Sequence, residues 1–372
     1  MPPLSGLKVL DFSTLLPGPL ASLLLAEAGA EVVKVERPGG GDEMRSYAVP
    51  FGQASANFAM LNRGKASLVV DLKDPAGRAT LAPYLDQADV LIEQFRPGVM
   101  ERLGLGWPAL HARHPRLIYC SITGHGQDGP RRDQAGHDLN YLAETGILGL
   151  TRGADGAPVL PPVLAGDIAG GAYPAVMNIL LALRERDAGG LGRHLDIAMA
   201  PNLLTFAYWG LGAGFAAKAW PRPGAELVTG GSPRYHIYRT ADDRFLACAP
   251  LEERFWTVFC DAIGLPPGAR DDAADPEAVT RAVAALVRTR DADDWLARLA
   301  GRDVCVTVVA SLEEAACDPD FARLFGPAIS DDAGTIPALP VAVAPSLRVE
   351  RPVRGYARLG AANDLPPWSG DD

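Results

Sequence analysis

Cysteine is scarce: 372 residues contain only Cys120, Cys248, Cys260, Cys305 and Cys317. The count is odd and no pair has CxxC spacing, which fits reduced core thiols better than a disulfide framework or a zinc ribbon. Six histidines offer no ligand spacing; His111 and His114 flank a Pro-containing loop and read as a solvated helix end. No metal or redox cofactor is expected. Basic clusters are missing too. With 35 Lys and Arg against 45 Asp and Glu, the net charge is -10, so a nucleic-acid partner has no electrostatic footprint. An anionic ligand stays possible, because a pocket needs only a few local cations. The apolar stretch 15–30 is interrupted by Pro17, Gly18, Pro19 and Gly29. It is too short and broken to span a bilayer and lacks a signal-peptide layout, so the expectation is a cytoplasmic protein with no membrane partner. No GxGxxG follows the first strand; residues 13–19 read Ser-Thr-Leu-Leu-Pro-Gly-Pro. A nicotinamide-type dinucleotide site is therefore unsupported, and Glu36, which could mimic a ribose-binding acid, is read as a surface residue.

What is present is ordinary globular material, 48% hydrophobic and 22% charged, which does not suggest disorder. The length exceeds what one core usually supports, so two domains are expected. Strand-like and helix-like runs alternate in the first half. Residues 8–13 (KVLDFS), 31–35 (EVVKV), 67–71, 90–94 and 117–122 read as strands,. A Leu- and Ala-rich helix over 19–28 is ended by Gly29. Asp74-Pro75 supplies an N-cap and a proline at the first helical position, and Pro83 predicts a kink in that helix. This grammar points to an α/β fold with a Rossmann-like open parallel sheet. Residues 168–186 predict a further helix, stopped by Gly189-Gly190. Residues 209–232 are rich in Gly, Ala and Pro and read as a crossing segment. A hairpin of 235–240 and 244–249 follows, joined through Asp242-Asp243. Amphipathic stretches at 253–263, 276–287 and 292–300 complete a smaller α+β domain. The expected division is a large domain of 1–205 and 327–372, a linker of 206–232 and a small domain of 233–326.

Several stretches together resemble the family III CoA-transferase (CaiB/BaiF) and α-methylacyl-CoA racemase superfamily. They are LSGLKVLDFS at 4–13, AEVVKVERPGGGD at 30–42, NRGKASLVVDLK at 62–73 and ADVLIEQFRPGVMERLGLG at 88–106, with GHDLNYLAETG at 136–146, GDIAGG at 166–171 and GRHLDIAM at 192–199. Their order and density, over roughly the whole chain, carry the resemblance more than any one motif. It implies an acyl-CoA substrate with coenzyme A as part of it, no permanently bound cofactor, and a homodimer of interlocked chains.

Asp167 lies between Gly166 and a helix expected to begin near Ile168. A helix start favours a carboxylate charge, though a plain N-cap is the commoner role for such an Asp. The resemblance places the family's functional carboxylate at this position. His137 stands at another expected helix start, where the dipole lowers an imidazole's pKa; as a residue alone it could equally be a loop histidine without a task. The resemblance makes it one of the two acid/base groups of the racemases. Glu252 reads as a helix-start carboxylate, and the resemblance pairs it with the histidine. Here Glu252-Glu253-Arg254-Phe255 departs from the racemase pattern Glu-Pro-Gln-Phe, which counts against the racemase activity and keeps the transferase beside it. The backbone N–H of Asp138 is the expected oxyanion donor.

Coenzyme A carries a pyrophosphate and a further phosphate, so its site needs several cations. Arg37, Arg45, Arg63, Lys65, Arg96 and Arg102 follow strands, where α/β folds place ligands. Arg37, Arg63 and Arg96 match family motifs, and Lys65 and Arg102 complete the expected set; Arg234 is particular to this chain. Two activities remain open. A racemase would use His137 and Asp167 to move the α-proton of a 2-methylacyl-CoA between faces. A CoA-transferase would use Asp167 as a nucleophile, through an anhydride and an enzyme-bound CoA thioester.

Overall fold

The alternating buried strands and capped helices build one large parallel sheet in the computed structural model, which describes residues 1–153, 155–349 and 355–369. The end of the expected segment 327–372 therefore lies partly outside the described residues. The sheet strands are β1 (Lys8–Asp11), β2 (Glu31–Glu36), β3 (Ala66–Val69), β4 (Val90–Glu93), β5 (Ile118–Thr123) and β6 (His194–Ala198). They lie in the order β3-β2-β1-β4-β5-β6, all parallel. The order reverses at β1, as in doubly wound sheets, which open a crevice beyond the carboxyl ends of their strands at that point. Every residue of β4 and β5 is buried, as expected for central strands covered on both faces.

Helix α1 (Pro17–Glu27) begins with Pro17 in its first turn and is buried from Pro17 through Leu25. A helix apolar all round belongs in a core. It packs between β1 and helix α3 (Tyr173–Asp187), whose Ala175, Ile179, Ala182 and Leu183 are buried. By length and composition alone, the helical span Gly166–Asp187 is long and apolar enough to cross a membrane; its apolar window is 44% buried within the protein. Pro83 does more than kink its helix. The chain forms two short pieces, Pro75–Ala79, capped by Asp74, and Ala82–Leu85.

Contacts divide the chain into two compact units: Met1–Thr145, Pro162–Thr205 and Arg323–Asp372 in one, Gly146–Pro161 and Phe206–Ala322 in the other. In the first, Arg63 donates to the Leu339 carbonyl at 2.9 Å and Tyr356 donates to the Phe51 carbonyl at 2.6 Å, tying the late segment to the early one. The second is built on a three-stranded antiparallel sheet of His236–Arg239, Phe245–Cys248 and Val306–Val308. Helices Glu253–Ile263, Pro276–Val287 and Ala292–Leu299 cover it. Trp256, Phe259, Val283, Val287 and Trp295 form its core, and the Trp295 indole donates to the Val287 carbonyl at 2.8 Å. Residues 208–217, expected as part of a crossing segment, form the helix Tyr208–Ala217, closed by Lys218 in the left-handed conformation.

Candidate active site

Asp167 is not an N-cap. It is the second residue of a π-helical segment, Gly166–Ala172, that runs directly into α3, so the helical chain starts before Ile168. The Tyr173 N–H donates to the Ile168 carbonyl five residues back. This wide register is uncommon and concentrates at functional sites. Small residues permit it. A Cβ on Gly170 would lie 2.5 Å from the Met199 carbonyl oxygen, and one on Gly171 would lie 3.1 Å from both Met199 and Pro17. Asn202 donates to the Gly170 carbonyl at 2.8 Å, an acceptor to which Pro174, four residues on, has no N–H to offer,. The carboxyl of Asp167 is pushed up to about 6, first by burial and then by the charge of Asp138, with His137 acting the other way.

His137 immediately precedes helix α2 (Asp138–Glu144), as expected, and Asn140 Oδ1 accepts its backbone N–H at 3.0 Å. Its side chain is exposed, whereas Asp138 is buried. Tyr141 fixes the approach to this helix. Its hydroxyl donates to the Gly136 carbonyl at 2.7 Å, and a Cβ on Gly124 or Gly136 would come within 2.8 Å of its ring or hydroxyl. Both ends of loop 124–136 are thus pinned to one aromatic side chain. Glu144 adds a second anchor, with Nε2 of His125 at 2.8 Å, Arg131 at 3.1 Å and Gln134 at 2.6 Å. Folding therefore brings His137, Asp138 and Asp167 into one neighbourhood. Glu252 lies in the second unit, where it precedes the helix Glu253–Ile263, exposed and without a side-chain cap bond.

A cleft of about 370 Å³ opens beyond the carboxyl ends of β1 to β4. Phe12, Val35, Val70, Phe95 and Leu103 supply apolar walls, and Ser13, Thr14, Arg37 and Lys73 supply polar groups. Arg37 is exposed, with Nε donating to the Gly41 carbonyl at 3.1 Å and Nη2 paired with Glu43 at 3.5 Å. Lys73, which closes the family-like stretch 62–73, is a cation the sequence reading did not single out; it lies in a loop just beyond β3. Arg96 and Arg102 are exposed. The guanidinium of Arg102 lies 3.3 Å from where a Cβ on Gly98 would stand, with Arg132 at 3.9 Å.

Two expected phosphate ligands are placed otherwise. Arg63 is buried, bonded to Glu27 at 2.7 Å and to the Met60 and Leu339 carbonyls. Lys65 is buried among Asp11 at 3.4 Å, the Pro19 carbonyl at 2.8 Å and Asn62 at 2.8 Å. Both spend their donors inside the protein, so neither faces the cleft. Arg45 is also internal, held by a bidentate bond to Glu36 at 2.7 Å. Glu36 is thus a buried anchor, not a surface residue; it also accepts from Ser67 at 2.6 Å and from the Asp42 N–H at 3.0 Å. Burial alone would raise its carboxyl, but the Arg45 bonds hold it below the ordinary value. Asp42 in turn pairs with buried Lys34 at 3.0 Å and accepts the N–H of Leu15, whose φ is 62°. Of this ionic layer, Glu36 and Asp42 line the cleft. Arg234, in the second unit, is bound to Asp272 and Glu253 at 2.8 Å each.

The family model described as CoA-transferase family III matches residues 4–350. Human alpha-methylacyl-CoA racemase is 35% identical over 316 residues, covering 84% of this chain and 78% of that protein. Acetyl-CoA:oxalate CoA-transferase of Acetobacter aceti is 33% identical over 334 residues, covering 86% of this chain and 84% of that protein. The crystal structure of a CaiB/BaiF family protein from Brucella suis superposes with a TM-score of 0.83 at 28% identity, over 97% of both chains.

Proposed function

The chain belongs to CoA-transferase family III and is an acyl-CoA racemase or CoA-transferase; on that premise we propose that it interconverts the 2R and 2S forms of 2-methylacyl-CoA thioesters by 1,1-proton transfer. The observation that carries this reading is the shared neighbourhood of His137 and Asp167, in which burial and Asp138 push the Asp167 carboxyl up to about 6. A group that alternates between acid and base works best with a pKa near the working pH. One of the two takes the α-proton, electron density moves onto the thioester oxygen, and the other returns a proton to the opposite face. The oxygen needs a donor while it holds charge. The backbone N–H of Asp138, in the first turn of α2 where helix geometry leaves such groups unpaired, is proposed for it.

The cleft beyond β1 to β4 would take the nucleotide part of coenzyme A. Its apolar walls suit a base, and Arg37 and Lys73 offer charge to phosphates, with Arg96 and Arg102 nearby in sequence,. A homodimer fits the outer face of α3, where Tyr173, Met177, Leu180 and Leu181 expose apolar surface,.

Transferase relatives at similar identity support a second reading. The Asp167 carboxylate would attack the acyl carbon and expel the CoA thiolate. That thiolate would attack the resulting anhydride at the Asp167 carbonyl, releasing the acid and leaving a CoA thioester on the enzyme for an acceptor carboxylate. A single-epimer 2-methylacyl-CoA, incubated without any acceptor acid and followed by chiral chromatography, separates the two. Racemisation is the expected result. An unchanged epimer, with hydroxylamine-sensitive modification of Asp167, would establish the transferase instead.

A further inference from the structure

The contact that shapes the candidate base most directly comes from a side chain to which proton transfer itself assigns no task. Asp138 is 5% exposed, and its Oδ1 accepts the backbone N–H of Asp167 at 3.0 Å across 29 positions of sequence. The next N–H, of Ile168, is already bonded within the helix to the Leu164 carbonyl at 3.0 Å. The Asp138 carboxyl therefore closes the mouth of the π-helical segment at the residue that carries the reactive group. The fit is built from both sides: a Cβ on Gly166 would lie 2.9 Å from the same Oδ1, so the residue before Asp167 has to lack one for the contact to form.

A neutral acceptor such as asparagine would serve as an anchor equally well. What a carboxylate adds is charge, placed beside another acid where it disfavours ionisation. The remaining surroundings of Asp167 leave this charge weakly opposed. From α2 and its leading residue come His137, which favours the ionised form, and Tyr141. Farther along the segment, α1 and the helix Met199–Leu203 meet Gly171 with Pro17 and Met199, which carry no charge, and β6, also packed against the segment, brings His194 and Asp196. After burial, Asp138 is the largest influence raising the Asp167 carboxyl.

We infer that Asp138 is a positioning residue whose buried side chain both anchors the backbone of Asp167 and sets how readily the Asp167 carboxyl takes and releases a proton. This rests on the reading of Asp167 as an acid/base group. The decisive variant is Asp138→Asn, which keeps an oxygen acceptor and removes the charge. Two readouts apply: the pH profile of α-proton exchange, and a 13C NMR titration of the Asp167 carboxyl, assigned with Asp167→Asn. In Asp138→Asn the titration midpoint is expected to fall by about one pH unit from its wild-type value, with the acidic limb of the rate profile moving alongside. Asp138→Ala is expected to lose turnover as well, because the anchor goes too. An unmoved midpoint in Asp138→Asn overturns the inference. If that variant folds poorly, the wild-type protein still decides: an Asp167 amide that exchanges with solvent as fast as an open loop contradicts the anchor. The NMR titration does not depend on activity. A midpoint that moves while Asp167→Asn remains active would sustain the Asp138 coupling and sink the catalytic reading of Asp167.

Discussion

Replacing Asp167 by asparagine is expected to stabilise the protein at neutral pH while abolishing its turnover. The folded protein holds the Asp167 proton up to about 6, against an ordinary value of 3.8. Between those values the folded state binds more protons than the unfolded one, so this group's contribution to stability falls as pH rises through the window and stays unfavourable above it. A shift of roughly two pH units at about 1.4 kcal/mol each sets a ceiling near 3 kcal/mol. Asp167 is partly open to water, which reduces the expected gain to about 1–2 kcal/mol. For a chain of this size that corresponds to a melting temperature higher by about 1–3 °C. Thermal melts of wild type and Asp167→Asn at about pH 4.0 and about pH 7.5 measure it, with the gap near zero at the lower pH and fully open at the higher. A variant that melts below wild type at neutral pH, or by the same margin at both, would refute the claim that burial and Asp138 strain this carboxyl.

Two further outcomes follow from the geometry and a third from the family resemblance that pairs Glu252 with His137. Lys65→Met leaves buried Asp11 with Lys34 as its remaining nearby cation and should cost up to about 3 kcal/mol of stability in urea melts; a near-native melt with a weakened KM for acyl-CoA would return Lys65 to the phosphate site. Arg37→Ala and Lys73→Ala should each raise KM several-fold with kcat nearly unchanged, an effect that shrinks with added salt, and unchanged KM in both would remove the cleft as the nucleotide site. Glu252→Gln is expected to slow α-proton exchange by about tenfold or more without altering CoA affinity measured by calorimetry; full activity would leave Glu252 an ordinary helix-start carboxylate.

The central strands and the amphipathic helices were legible because their signals are local. Buried runs such as Val90–Glu93 and a period-matched helix such as Glu253–Ile263 carry their pattern within a few residues. Strand β6 went unread because His194 and Asp196 interrupt its apolar pattern at the sheet edge. The helix Tyr208–Ala217 was hidden by Gly210, Gly212 and Gly214, which speak against helix by propensity,. The π register around Asp167 depends on Met199, Asn202 and Asp138, all distant in sequence, so its neighbours alone suggested an ordinary N-cap. Charge was the least readable property. Glu36, Arg63 and Lys65 look like surface or ligand-facing groups until folding supplies Arg45, Glu27 and Asp11 as partners. His137 and Asp167 became candidates through family motifs, and their shared neighbourhood emerged only from the fold.

The most direct test of the two-base account is α-proton washout in D2O, followed by proton NMR on each pure epimer of a 2-methylacyl-CoA, for wild type, His137→Ala and Asp167→Ala. The account predicts that wild type exchanges the α-proton of both epimers as it racemises them. His137→Ala should then retain washout with one epimer only, Asp167→Ala with the other only, and neither should racemise. Equal washout of both epimers in either variant, or none in wild type, would contradict it.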